Sequence, residues 1–256
     1  MPRKKTLKAK SEEAVYAPPM QPASPGPSNL LVLLLIVVSF FAGYLFFRLK
    51  SVEQSNLANT QNQQQKAPAR PTELKIKKPT TSEHWRGSSD VRYVWVEYAD
   101  MECAFCKQIH PDLVKLLQVY DGKIAWVFRQ YPLPFHPKAQ KSAEAVECAN
   151  DEAGNDAFWK MQDAIYEKMP TMELVDLPTI AASIGLDEAT FKQCLDSGKF
   201  AKKVKDQLNE GSKTGVQATP SNVVYDLKTG HNLLIEGALP YDSLKTSLDG
   251  FMAKYK

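Results

Sequence analysis

Two cysteines, Cys103 and Cys106, stand two residues apart in the segment from Tyr98 to Cys106, YADMECAFC. A pair at this spacing suits three chemistries: thiol–disulfide exchange, half of a zinc site, or a structural bridge. Zinc needs a second half. Cys148 and Cys194 lie far apart in sequence, and His110, His136 and His231 form no ligand pattern, so no metal is expected. A structural bridge stabilises by closing a loop, and this loop closes almost nothing. Exchange is the reading that survives, and it sets a condition on position. Only a thiolate attacks a disulfide, so one sulfur must have its charge stabilised.

The surrounding elements meet that condition. Val91 to Tyr98 is rich in β-branched and aromatic residues and reads as a buried strand. Cys103 to about Tyr120 has helical spacing, with Ile109, Leu113, Leu116 and Leu117 apolar. The pair therefore opens a helix, where unpaired N–H groups and the helix dipole favour negative charge. Cys103, at the exposed end, is the expected nucleophile. Cys106, one turn in, is the expected resolving thiol. Pro111 falls inside the helix and is expected to kink it.

Two further features bear on the pair. Glu97 interrupts an apolar strand and shares a face with Tyr93 and Trp95. Buried, its carboxyl would have a raised pKa and could shuttle the proton of Cys106; at a strand edge it would simply face water. Thr219-Pro220 precedes another strand. A cis bond there would turn the Thr219 backbone toward the site, where its N–H and C=O could pair with an extended substrate peptide. The alternative is an ordinary trans loop proline. His110 could tune the thiols or serve in packing, and His136 reads as a structural loop residue.

Lys123 to Arg129 is a second strand, and from Pro137 to Ser212 only helical segments appear, broken near Asn150, Pro170 and Gly185. Asn222 to Asp226 and Leu233 to Glu236 form a hairpin around Lys228-Thr229-Gly230, and a last helix runs from about Tyr241 to Met252. The order β–α–β, helical block, β–β–α is an α/β pattern: a mixed sheet with helices on both faces.

Ahead of this domain, Leu30 to Phe47 is a run of 18 residues without a charge. As a helix it would reach ~27 Å, near the hydrocarbon thickness of a bilayer. We read it as one uncleaved transmembrane helix. The basic cluster Arg3, Lys4, Lys5, Lys8 and Lys10 favours a cytoplasmic N-terminus and an extracytoplasmic remainder. Residues 1–29, with five prolines after residue 10, read as a disordered tail, and residues 48–82 as a flexible linker. Net charge is +3 for residues 1–29, +5 for 48–82 and −5 for 83–256. The basic excess thus belongs to tail and tether, and nucleic acid is not an expected partner. Cys148 and Cys194 fall in the helical block on the same, oxidising side. A structural disulfide between them is the leading reading, against two free thiols or a second redox pair.

Four ordered segments carry a family likeness: Trp85-Arg86-Gly87, VEYADMECAFCKQIHP from Val96, RQYPLPFHPKA from Arg129, and GVQATP from Gly215. Together they resemble the DsbA-like branch of the thioredoxin superfamily over about residues 83–254. The resemblance implies a thioredoxin-like fold within residues 83–256, with its helical insertion at about residues 138–213. It implies Cys103 as nucleophile, Cys106 as resolving thiol, Glu97 as buried acid, and Pro220 as the cis-proline after Thr219. It further implies a monomer without cofactor that oxidises cysteines of exported proteins and is recycled by a membrane redox partner. The dipeptide departs from the pattern: DsbA has Pro-His where this chain has Ala104-Phe105, which leads us to expect a less oxidising couple. A reductase or isomerase, or a redox-inert binding module or chaperone, are the alternatives. For an isomerase, residues 51–82 are too short and polar to form a dimerisation domain.

Overall fold

The computed structural model describes residues 73–256 and, in and just after the N-terminal apolar run, residues 34, 38, 43–48 and 50. The chain divides into two compact units, Met1–Ala69 and Arg70–Lys256. In the first, the described residues are helical and exposed. Among the described residues, no helix is long and apolar enough to cross a membrane. Most of the expected span, with the tail before it and most of the linker after it, lies outside the described residues.

The second unit is built on a five-stranded sheet in the order β1-β3-β2-β4-β5, formed by β1 (His84–Arg86), β2 (Tyr93–Ala99), β3 (Ile124–Gln130), β4 (Ser221–Asp226) and β5 (Asn232–Glu236). β2 and β3 run parallel, joined by α1 (Ala104–Val119); all other pairs are antiparallel. The sheet is mixed, as the sequence pattern implied. β1 is an addition. Its three residues pair with β3 through Trp85 opposite Val127, and three residues are too few to show a period in the sequence.

Between β3 and β4 come α2 (Ala139–Ala153), α3 (Asn155–Lys168), a 3-10 turn, α4 (Leu177–Ser183), α5 (Glu188–Ser197) and α6 (Ala201–Thr214); α7 (Tyr241–Lys254) closes the chain. Strand alternation sorts the core into two layers. Tyr93, Trp95, Trp126 and Phe128 face α1, α7 and the helical block, meeting Ile109, Leu248, Phe158 and Trp159. Val94, Val96, Tyr98 and Val127 face the other way, toward Leu74, Ile76 and Leu208 of α6. Gly211 lets α6 approach that layer, since a Cβ there would lie 2.9 Å from the Tyr131 ring. α1 runs through Pro111 without interruption. A disulfide joins Cys148 of α2 to Cys194 of α5, with Cα atoms 5.9 Å apart.

Candidate active site

β2 ends at Ala99, and the turn Asp100–Glu102 delivers Cys103 to the start of α1. Cys103 occupies the N-cap with extended backbone (φ −76°, ψ 119°). Its N–H donates to the Asp100 carbonyl at 3.2 Å, and its carbonyl accepts from Lys107 N at 3.1 Å. The helix thus begins at the cysteine itself, and no acidic residue sits in its first turn to oppose a thiolate.

Both sulfurs are free thiols, but their surroundings differ. Cys103 keeps 4% of its surface exposed, while Cys106 keeps none. The Cys106 thiol, the Thr219 side chain and the N–H groups of Cys106 and Phe105 together lower the Cys103 pKa to about 5, against opposing burial. Burial pushes Cys106 well above the ordinary thiol value, and its bond to Cys103 and the charge on Glu97 push further. One sulfur is set to attack as a thiolate, and the other is set to hold its proton.

Glu97 lies inside the sheet, opposite Phe128 of β3 and Asn222 of β4, and is 1% exposed. Burial raises its carboxyl to about 8, while the Trp126 indole opposes the rise and the Cys103 charge adds to it. Among the described residues its Oε2 has no hydrogen-bond partner. The carboxyl is therefore largely protonated at neutral pH, and its charge, when present, raises the Cys106 pKa.

The Thr219–Pro220 bond is cis and leads into β4. The Thr219 carbonyl accepts from Cys103 Sγ at 3.5 Å. The structure thus brings Cys103, Cys106, Glu97 and Thr219-Pro220 to one place. Cys148 and Cys194 lie elsewhere, bonded to each other, and cannot complete a zinc site with the pair. Among the described residues no group of three or more His, Cys, Asp or Glu could hold a metal.

Asp100 is a residue the sequence analysis did not single out. It is 1% exposed, and its carboxylate accepts from Glu102 N at 2.7 Å, Leu133 N at 2.7 Å and His136 Nδ1 at 2.8 Å. Glu102 accepts from Lys138 N at 2.6 Å. These bonds clamp the Tyr131–Lys138 loop beside the cysteines and leave Phe105 and Phe135 exposed. A signal was present: two acids within the three residues before Cys103, and a proline-rich loop short of regular backbone partners.

Residues 79–249, more than half of the chain, match the family model described as Thioredoxin. The chain belongs to this thioredoxin family. Its fold is that of the DsbA-like proteins within the superfamily. The crystal structure of Pseudomonas aeruginosa DsbA2 matches with a TM-score of 0.57 and 27% identity, covering 68% of this chain and 97% of that one. Oxidised BdbD from Bacillus subtilis matches with a TM-score of 0.60 and 25% identity, over 70% and 98%. In sequence, the Salinispora tropica protein named Na(+)/H(+) antiporter NhaA 3 is 32% identical over 140 residues. That alignment takes in 54% of this thioredoxin-family chain but spans only 21% of the antiporter's length.

Proposed function

We propose that this chain is an extracytoplasmic protein thiol–disulfide oxidoreductase that oxidises substrate cysteines to disulfides through Cys103 and Cys106. The observation that carries the reading is the opposed state of the two sulfurs, one lowered to about 5 and the other raised, beside the Thr219 carbonyl at 3.5 Å. A stabilised Cys103 thiolate stabilises the reduced pair, and a couple whose reduced form is stable is an oxidant. The likeness to DsbA2 and BdbD supports thiol–disulfide exchange as the chemistry.

In this reading a substrate thiolate attacks Cys103 of the oxidised pair, and Cys106 departs and takes a proton from Glu97. A second substrate thiolate attacks the substrate's own sulfur, forming the substrate disulfide and releasing the Cys103 thiolate. Thr219, through its backbone, aligns the substrate as an added strand. The uncharged run Leu30–Phe47 supports a single-pass anchor, with exported proteins as substrates and a membrane redox partner reoxidising the dithiol. We infer a monomer.

The test is a pair of variants in the full chain. Cys103→Ser should abolish oxidation of a dithiol peptide, and Cys106→Ala should accumulate substrates trapped on Cys103. Oxidation retained by Cys103→Ser would favour a redox-inert binding module.

A further inference from the structure

His110 lies one turn beyond Cys106 on α1, its side chain 13% exposed. The outer nitrogen, Nε2, meets Asp163 Oδ1 at 2.8 Å. Asp163 is 39% exposed and accepts from both Arg86 terminal nitrogens, at 2.9 and 2.8 Å. Burial would raise its pKa, but His110 and Arg86 hold it below the usual carboxylate value. The inner nitrogen, Nδ1, is buried and has no partner among the described residues.

The imidazole is wedged between two aromatic rings that also border the thiol site. Its centroid is 5.3 Å from that of Trp126 and 5.1 Å from that of Tyr166. The Trp126 indole acts on Glu97. The Tyr166 phenol donates to the Asp100 carbonyl at 3.3 Å; burial raises its pKa, and the charges of Cys106, Glu97, Asp100 and Cys103 add to the rise. Glu97 Oε2 and His110 Nδ1 are thus two buried polar atoms, unpartnered among the described residues, whose residues both neighbour Trp126. Interiors rarely leave such atoms unpaired without a reason.

We propose that His110, held by Asp163, is the proton port of the thiol site, passing protons between buried Glu97 and the surface. The inference rests on the thiol–disulfide reading. Attack of a substrate thiolate forms a bond to Cys103 Sγ and breaks the Cys103–Cys106 bond, whose electron pair leaves on Cys106 Sγ. The Glu97 proton passes to that sulfur. Glu97 is left ionised in an apolar interior and regains a proton from imidazolium, which is replenished from solvent at Asp163. Reoxidation runs the proton outward by the same route. The route requires water to bridge Nδ1 and Oε2. His110 touches no reacting sulfur and is a positioning residue. Cys106 on its own helix, Asp163 and Tyr166 on α3, and Arg86 on β1 through Asp163 are the ionisable groups arranged around it.

The experiment is single-turnover oxidation of a dithiol peptide by the oxidised full chain in detergent, from pH 5 to 9. His110→Gln should slow the step, by up to about 100-fold, the lower end for positioned proton transfer. It should also flatten the pH profile. Added imidazole should restore the rate of His110→Ala. Joining His110→Gln to Glu97→Gln should cost no more than Glu97→Gln alone. Should the His110 variants not fold, Asp163→Asn carries the same expectation for the pH profile. A profile parallel to wild type, no response to imidazole, or losses that multiply would overturn the proposal. Cys103→Ser separates the two readings: if it is inert while His110→Gln matches wild type, the proton port alone is lost.

Discussion

As a thiol, Cys103 Sγ donates a hydrogen bond to the Thr219 carbonyl at 3.5 Å, joining the start of α1 to the residue before Pro220 across a sequence separation of 116. The nucleophile candidate and the substrate-aligning candidate therefore form one surface. A peptide paired with the Thr219 backbone would arrive with its cysteine beside Cys103.

Alkylation of the reduced protein should show one reactive thiol with a midpoint near pH 5, assigned to Cys103, while Cys106 stays protected through neutral pH. The linkage has a definite sign. A pKa lowered to about 5 stabilises the reduced fold above the unfolded thiol value, and that gain disappears as pH falls through 5. The slope is about 1.4 kcal/mol per pH unit within that window. Thermal unfolding of reduced and oxidised samples from pH 9 to 4 measures it; a constant difference would rule the assignment out.

The same thiolate bears on redox strength. A Cys103 value of about 5 falls between the values of about 7 for thioredoxin and about 3.5 for DsbA. We expect a reduction potential between about −270 and −120 mV. Equilibration with glutathione gives the number, and a potential equal to that of DsbA would contradict the expectation drawn from Ala104-Phe105.

Glu97 should act on stability in the opposite sense. Its carboxyl is raised to about 8, so stability is full below the ordinary carboxyl pKa and falls as pH rises through 8. Glu97→Gln should leave the melting temperature unchanged at pH 4 and raise it at pH 8. Peptide oxidation should slow in the same variant. Equal melting shifts at both pH values would point to packing rather than charge.

Removing both Cys148 and Cys194 with alanine should cost about 4 kcal/mol for a separation of 46 residues by the chain-entropy argument. Since the bridge lies outside the thiol site, the oxidation rate at a temperature where the variant is folded should match wild type. A lost rate in a folded variant would make this pair part of the chemistry.

Asp100→Ala leaves the N–H groups of Glu102 and Leu133 and the His136 ring without their acceptor. Bonds to a buried charge contribute about 1.5–3 kcal/mol each, so the loss should reach several kcal/mol. Urea unfolding measures it. Hydrogen exchange at Leu133 should quicken, and an unchanged Leu133 amide would mean that the loop holds without the clamp.

Much of the architecture was legible because it is periodic. Alternation in Val91–Tyr98 and the apolar spacing of Ile109, Leu113 and Leu116 place a strand and a helix on either side of Cys103, and local backbone physics follows from that order. Residue type and spacing likewise nominated Cys103 and Cys106. Tertiary structure decided what no local rule encodes. It made β1 a fifth strand, set Thr219 against Cys103, and bonded Cys148 to Cys194 rather than leaving two thiols. It buried Glu97 against Trp126 and turned one His110 nitrogen inward and the other toward Asp163. A pKa depends on the dielectric and the charges within a few ångströms, and those neighbours come from β3, α3 and the Thr219-Pro220 turn, far away along the chain.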